Sequence, residues 1–230
     1  MRQRQPLSDK RLNTICTYCG DIADSRDHVP SKILLEEPFP DNLPLVPCCT
    51  KCNQNFSLDE EYFACLIECV LHGTADIKQL SRKRIKKILM RKELLRDRIK
   101  KSIIESSNQI IFKVENERMN NVLLKLAKGH IRYEYSELLF DEEPLFFNIQ
   151  IAYNMSEKEW NYFIQPRHID FMPEVGSRAM MELVVDSQNN ILSHWQIVQP
   201  DIYSYMVSTN PITVKMFIWN LLAVEIHWDF

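Results

Sequence analysis

Cys16-x-x-Cys19 and Cys49-x-x-Cys52 are two knuckles separated by 29 residues, each able to present two thiolates from a tight turn to one tetrahedral cation. Together they read as a four-cysteine structural zinc site with no open position. Cys48 competes for the third place, but only Cys49 keeps the two-residue gap to Cys52. Cys65 and Cys69 stand four apart in an apolar helical run and read as core. Between and beside the knuckles lie residues of a different chemistry. Seven residues separate Cys19 from Asp27-His28, 13 separate His28 from Asn42, and Asn53 directly follows Cys52. Phosphodiester cleavage needs a base of near-neutral pKa to activate water and a divalent cation held by few hard oxygens. His28 suits the base. Asp27 and the side-chain carbonyl of Asn53 suit Mg2+ or Mn2+, and Asn42 suits orienting one imidazole nitrogen so that the other can take a proton.

Each residue also has a plainer reading. His28 alone would be an ordinary surface histidine, Asn42 a turn cap in Pro-Asp-Asn-Leu and Asn53 a helix cap. Arg26, Lys32 and Lys51 read individually as solvated charges, and the other histidines lack acidic or cysteine partners at ligand spacing. What favours chemistry is the bracketing of Asp27-His28 by knuckles, with Asn53 attached to the second.

These residues resemble a known family. C-T-Y-C-G, then S-R-D-H-V-P-S-K, then D-N-L-P-L-V-P-C-C-T-K-C-N is similar to the HNH (ββα-metal) endonucleases, over about residues 14 to 63. The resemblance implies that His28 is the general base, that Asp27 and Asn53 bind the catalytic Mg2+ or Mn2+, that Asn42 orients His28, and that Cys16, Cys19, Cys49 and Cys52 hold zinc. It implies two antiparallel strands carrying Asp27-His28 and the Asn42 loop, with a helix starting near Asn53 across them. Asn53 stands where the family name has a second His, an exchange that favours an oxygen-preferring ion. The EEYF segment resembles a bacterial HNH subgroup, some members of which lie near phage-defence genes.

The elements that must position these residues follow from composition and periodicity. The chain has 230 residues, 45% hydrophobic and 26% charged, enough for one large domain or two small ones. The polar start MRQRQPLSDKRLN suggests no signal peptide, and no run of about 18 apolar residues follows, so a cytoplasmic chain that does not enter a membrane is expected. The net charge of −3 divides into −4 for residues 1 to 73, +10 for 74 to 134 and −9 for 135 to 230. Three segments are expected accordingly: an HNH module at 1–73, a helical basic segment at 74–134, and a mostly antiparallel β region at 135–230, giving an α+β chain overall.

In the first segment Ser57 and Glu60 suit a capping box ahead of a helix that stops at Gly73. In the second, Ile77, Leu80, Ile85, Ile88, Leu95, Ile99 and Ile103 form one apolar stripe with a single step of five, predicting a long amphipathic helix from Asp76 to about Glu105. A second helix is expected from Glu117 to Lys128, ending at Gly129. The third segment offers aromatic and β-branched runs, from IRYEYSELLF to MFIWNLLAVEIHWDF, several of them strands.

Twelve Lys/Arg between Lys78 and Lys101, Lys83, Arg84, Lys86 and Lys87 among them, suit contact with a nucleic-acid backbone, DNA foremost. The acidic third segment suits scaffolding, homodimerisation or docking to a regulatory protein. Two rivals stand beside the nuclease reading: a non-catalytic zinc-ribbon binding module, which has no use for Asp27, His28 and Asn53 together, and an effector subunit controlled by a partner.

Overall fold

The fold is that of a computed structural model that describes residues 10–106 and 109–229; residues 1–9 of the polar amino-terminal run lie outside the described residues. In chain order the elements are β1 (Ser25–His28), β2 (Leu45–Cys48), α1 (Thr50–His72), α2 (Lys83–Arg91), α3 (Glu93–Ser102), β3 (Ile103–Ser106), β4 (Gln109–Phe112), α4 (Asn116–Tyr135), β5 (Phe146–Ile151), α5 (Glu157–Ile164), α6 (Arg178–Met181), β6 (Val184–Val185), β7 (Ile191–Leu192), β8 (Gln196–Gln199), β9 (Tyr203–Thr209), β10 (Ile212–Ile218) and β11 (Leu222–Trp228). Helices and antiparallel sheets are mixed, so the class is α+β. No helix among the described residues is long and apolar enough to cross a membrane.

The chain forms two compact units, residues 1–54 with 123–230, and residues 55–122. This differs from the three consecutive segments expected, because the division falls inside α1 and α4. The acidic carboxy-terminal region thus belongs to the same unit as the cysteine knuckles.

In that unit β1 and β2 pair antiparallel, with Asp27 opposite Val46 and His28 opposite Leu45. A five-stranded antiparallel sheet runs β5-β11-β10-β9-β8. MFIWNLLAVEI falls in the β10–β11 hairpin, around its turn. Ile218 pairs with Leu222, so Trp219, Asn220 and Leu221 make the turn, with Trp219 and Asn220 in the left-handed region at φ of 56° and 47°.

One face of the sheet carries Tyr203 and Tyr205, which meet α4: His130 stacks on Tyr205 and contacts the Tyr203 hydroxyl at 2.8 Å, and Tyr205 donates to Glu134. The other face carries Lys215, which pairs across the strands with Glu225 and donates to the terminal carbonyls of α5 at Tyr162 and Phe163.

The run IRYEY, one of those among which several strands are expected, is the end of α4. His130, Ile131, Arg132, Tyr133, Glu134 and Tyr135 are all buried, and burial on several sides overrides their β propensity. WNYFI is likewise helical, in α5, which starts at a capping box between Ser156 and Glu159.

In the second unit the continuous helix expected from Asp76 to Glu105 is replaced by α2, α3 and the β3–β4 hairpin. The step of five between Leu80 and Ile85 coincides with the non-helical stretch before Lys83. In an unbroken register Lys92 would fall on the buried stripe with Leu89 and Ile99; the helix breaks there, and Lys92 pairs with Glu61 at 2.6 Å. Glu68, fully buried, accepts from the amides of Ser81 and Arg82 just ahead of α2. Ser57 and Glu60, expected to cap a helix start, lie inside α1, which already begins at Thr50, whose amide and hydroxyl donate to Asp24. Gly73 does end α1, with φ +63°.

Gly129, expected as a stop, lies inside α4. An ideal Cβ there would stand 2.7 Å from Val29 Cγ2 and 3.3 Å from the Tyr18 hydroxyl. The missing side chain lets α4 approach the residue next to His28. Gly129→Ala would gain about 1 kcal/mol of helix propensity but lose roughly 1–3 kcal/mol to overpacking. A net loss of stability is expected in chemical denaturation, and an unchanged or raised midpoint would show that Val29 yields freely.

Candidate metal centre and adjoining site

The first knuckle is a turn closed by Gly20 N–H donating to the Cys16 carbonyl, with Gly20 at φ +76°. The second is the junction of β2 with α1, where Cys52 N–H donates to Cys49 Sγ at 3.3 Å and Asn53 N–H donates to the Cys49 carbonyl. Thr17 clamps the knuckles together, its amide and hydroxyl both donating to the Pro47 carbonyl.

The result brings the sulfurs of Cys16, Cys19, Cys49 and Cys52 within 4.8 Å of one another, a cluster that can hold a metal ion such as zinc. Cys19 and Cys49 lie 3.7 Å apart. Tetrahedral zinc–thiolate bonds of about 2.3 Å would set sulfur separations of about 3.8 Å, so the donor set fits. Cys48 is buried outside the cluster and bonds the Cys49 carbonyl, while Cys65 and Cys69 are buried on α1.

The thiols differ in environment. Burial raises the Cys16 thiol, but amides of Cys49, Tyr18 and Cys19 directed at its sulfur outweigh this and leave it below its ordinary value. Burial raises Cys19 to about 11 and pushes Cys52 up as well. A bound cation must therefore displace protons from these sulfurs, and its affinity falls as pH falls.

The strand, strand and helix order around the cluster places the other sequence-selected residues. Asp27 and His28 are the last two residues of β1, and Asn53 lies in the first turn of α1. The Asn53 amide nitrogen donates to Ser25 Oγ at 3.2 Å and to the Arg26 carbonyl at 3.5 Å, anchoring α1 to β1. His28 is half-buried. That burial, then Lys32, lowers its pKa against an opposing pull from Asp27, which favours the neutral, base-competent imidazole.

Asp27 is buried, and its Oδ2 accepts from the Tyr18 hydroxyl at 2.6 Å and faces Lys125 Nζ at 2.7 Å. Both contacts fall on one oxygen, Oδ2. The side-chain oxygen of Asn42 accepts from Arg178 Nη2 at 2.7 Å, which ties the β1–β2 loop to α6. Two more ties fix that loop, Trp219 Nε1 to the Leu34 carbonyl at 2.9 Å and a reciprocal pair between Gln199 and the Glu36 backbone.

Sequence reasoning missed Tyr18, Lys125 and Arg178. Lys125 had a visible signal, a lysine on the apolar face that also holds Val122, Leu126 and Gly129. Tyr18 and Arg178 had none, since only folding shows what they face. Lys83, Arg84 and Lys87 are exposed on α2 and Lys86 partly so, opposite its buried Ile85 and Leu89.

Comparison with protein-family models, curated proteins and solved structures finds no match to this chain.

About one zinc per chain is expected by metal analysis after dialysis against a weak chelator. Cys16→Ser or Cys49→Ser should lose the metal and the cooperative unfolding transition, whereas Cys48→Ser should keep both. Loss of zinc in the Cys48 variant would mean that the wrong sulfur has been assigned.

Proposed function

We propose that the chain is a metal-dependent endonuclease that hydrolyses phosphodiester bonds in nucleic acid, DNA foremost, through an HNH-type site beside a structural zinc. One observation carries the reading: Asp27-His28 ends a strand paired with β2, and β2 leads through a cysteine knuckle directly into the helix turn that bears Asn53. His28 takes the proton of the attacking water, in the neutral form that its burial favours. Asp27 through Oδ1 and Asn53 through its carbonyl oxygen are the hard donors for Mg2+ or Mn2+. That ion would stabilise charge developing on the scissile phosphate. Ser25 orients Asn53, and Tyr18 and Lys125 orient Asp27. The exposed basic face of α2 supplies contact with the phosphate backbone. A role in phage defence extends the same reading from the family resemblance.

A non-catalytic zinc-ribbon binding module is the second reading. It is favoured by the engagement of Asp27 by Lys125 and of Asn42 by Arg178. His28→Ala separates the two. For a nuclease, cleavage of plasmid, linear duplex, single-stranded DNA or RNA with Mg2+ or Mn2+ should drop on the order of 10² to 10⁴-fold, with zinc content and thermal midpoint near wild type. Asn53→Ala should instead shift activity to higher metal concentration. A His28→Ala protein that retains zinc and cleaves like wild type in every condition would leave the binding module.

The basic face makes a separate prediction. Replacing Lys83, Arg84, Lys86 and Lys87 by Glu should weaken nucleic-acid binding for all sequences alike. It should also flatten the salt dependence by about 0.9 in slope for each phosphate that the protein no longer neutralises. An unchanged slope would reduce this face to solvated charge.

A further inference from the structure

Lys125 lies on the buried face of α4, and 1% of its side chain is exposed. Its ammonium sits 2.7 Å from Asp27 Oδ2 and 3.0 Å from Ser31 Oγ, and Ser31 is itself buried. The Tyr18 hydroxyl donates to the same carboxylate oxygen. Four residues further along the same helix face, Gly129 brings the backbone of α4 against Val29 and Tyr18, the approach that delivers Lys125 to Asp27. A lysine removed from water needs a counter-charge. A purely structural pair could use any acidic residue of the core, yet this one uses the carboxylate that adjoins His28 at the end of β1.

We propose that Lys125 is a built-in counter-ion of the candidate site, a positioning residue that holds Asp27 before a divalent cation arrives and competes with that cation for the same carboxylate. The inference rests on the reading of Asp27 as a cation ligand. Its physical basis is that a carboxylate spreads one negative charge over two oxygens. An ammonium on Oδ2 therefore withdraws charge from Oδ1, and it repels a dication there more strongly than it would in bulk water, because the surroundings are buried. Weak cation binding in the wild-type protein follows, together with a carboxylate already aimed when the cation enters.

The test is titration of the zinc-loaded full chain with Mn2+, followed by electron paramagnetic resonance of free Mn2+, with thermal midpoints measured with and without the ion. Lys125→Met should bind Mn2+ on the order of tenfold more tightly than wild type. Mn2+ should also raise its midpoint more than it raises that of wild type, because the dication replaces the lost counter-charge. Lys125→Arg, which keeps the charge, should stay near the wild-type affinity. Lys125→Gln keeps a donor for Asp27 and Ser31 without the charge; it carries the same expectation as Lys125→Met and replaces it if that variant does not fold. The proposal is overturned if Asp27→Asn abolishes Mn2+ binding while Lys125→Met or Lys125→Gln binds as wild type does. If wild type and the Lys125 variants all fail to bind Mn2+, the cation role of Asp27 falls and this inference with it. The two failures differ, because only the first leaves a Mn2+ signal for Asp27→Asn to remove.

Discussion

Four sulfur atoms within 4.8 Å of one another join the turn at Cys16–Cys19 to the junction between β2 and α1. Thiols are poor hydrogen-bonding partners, and once ionised they repel, so such a cluster is stable chiefly as the ligand set of a tetrahedral cation. A cation held there would cross-link what lies between. β1 leaves the first knuckle and β2 enters the second, so closing the cluster fixes the pairing of Asp27 with Val46 and of His28 with Leu45. It also sets where α1 starts, and hence that Asn53 meets Ser25 and Arg26.

The hairpin is only four residue pairs long, too short to be stable by itself, and α4 covers it. The helix is adapted to two surfaces. On one it presents Gly129 and Lys125 to Val29, Asp27 and Tyr18. On the other it presents His130 and Glu134 to Tyr203 and Tyr205 of the five-stranded sheet. Burial raises the pKa of Glu134 and lowers that of His130 well below its ordinary value, so both are held toward their neutral forms in the core. Removing one partner of a buried charged pair such as Asp27–Lys125 typically costs about 3–5 kcal/mol. That is a large share of a domain's stability, and it makes the pair a strong constraint on how α4 seats.

The acidic carboxy-terminal region packs against the loop that follows β1. Its sheet and α6 reach the long loop between β1 and β2 at Leu34, Glu36 and Asn42. Without such ties this 16-residue loop would keep many conformations and place Asn42 nowhere in particular; the ties offset the entropy lost on fixing it. In the unit formed by residues 55–122, α2 turns Ile85 and Leu89 inward and its lysines and arginines outward, and the buried Glu68 carboxylate accepts from the amides of Ser81 and Arg82 just ahead of it.

The sequence alone was enough to select from seven the four cysteines that cluster, because a knuckle is a local object: two residues of spacing decide whether two sulfurs can face one ion. It also marked Asp27, His28 and Asn53 as one group, since each is tied to a knuckle or strand a few residues away. Local chemistry misled where distant packing won. Gly129 read as a helix stop because glycine is a poor helix former, but it is kept inside α4 by the closeness of Val29. IRYEY stood among the runs expected to supply strands because of its β-branched and aromatic residues, but burial made it helix. The stripe looked continuous in sequence, yet the helix breaks at Lys92, which pairs with Glu61. The partners of the site residues belonged wholly to the tertiary structure. Lys125 lies 98 residues from Asp27 and Arg178 lies 136 from Asn42, and no local pattern encodes which buried charge will meet which across such separations.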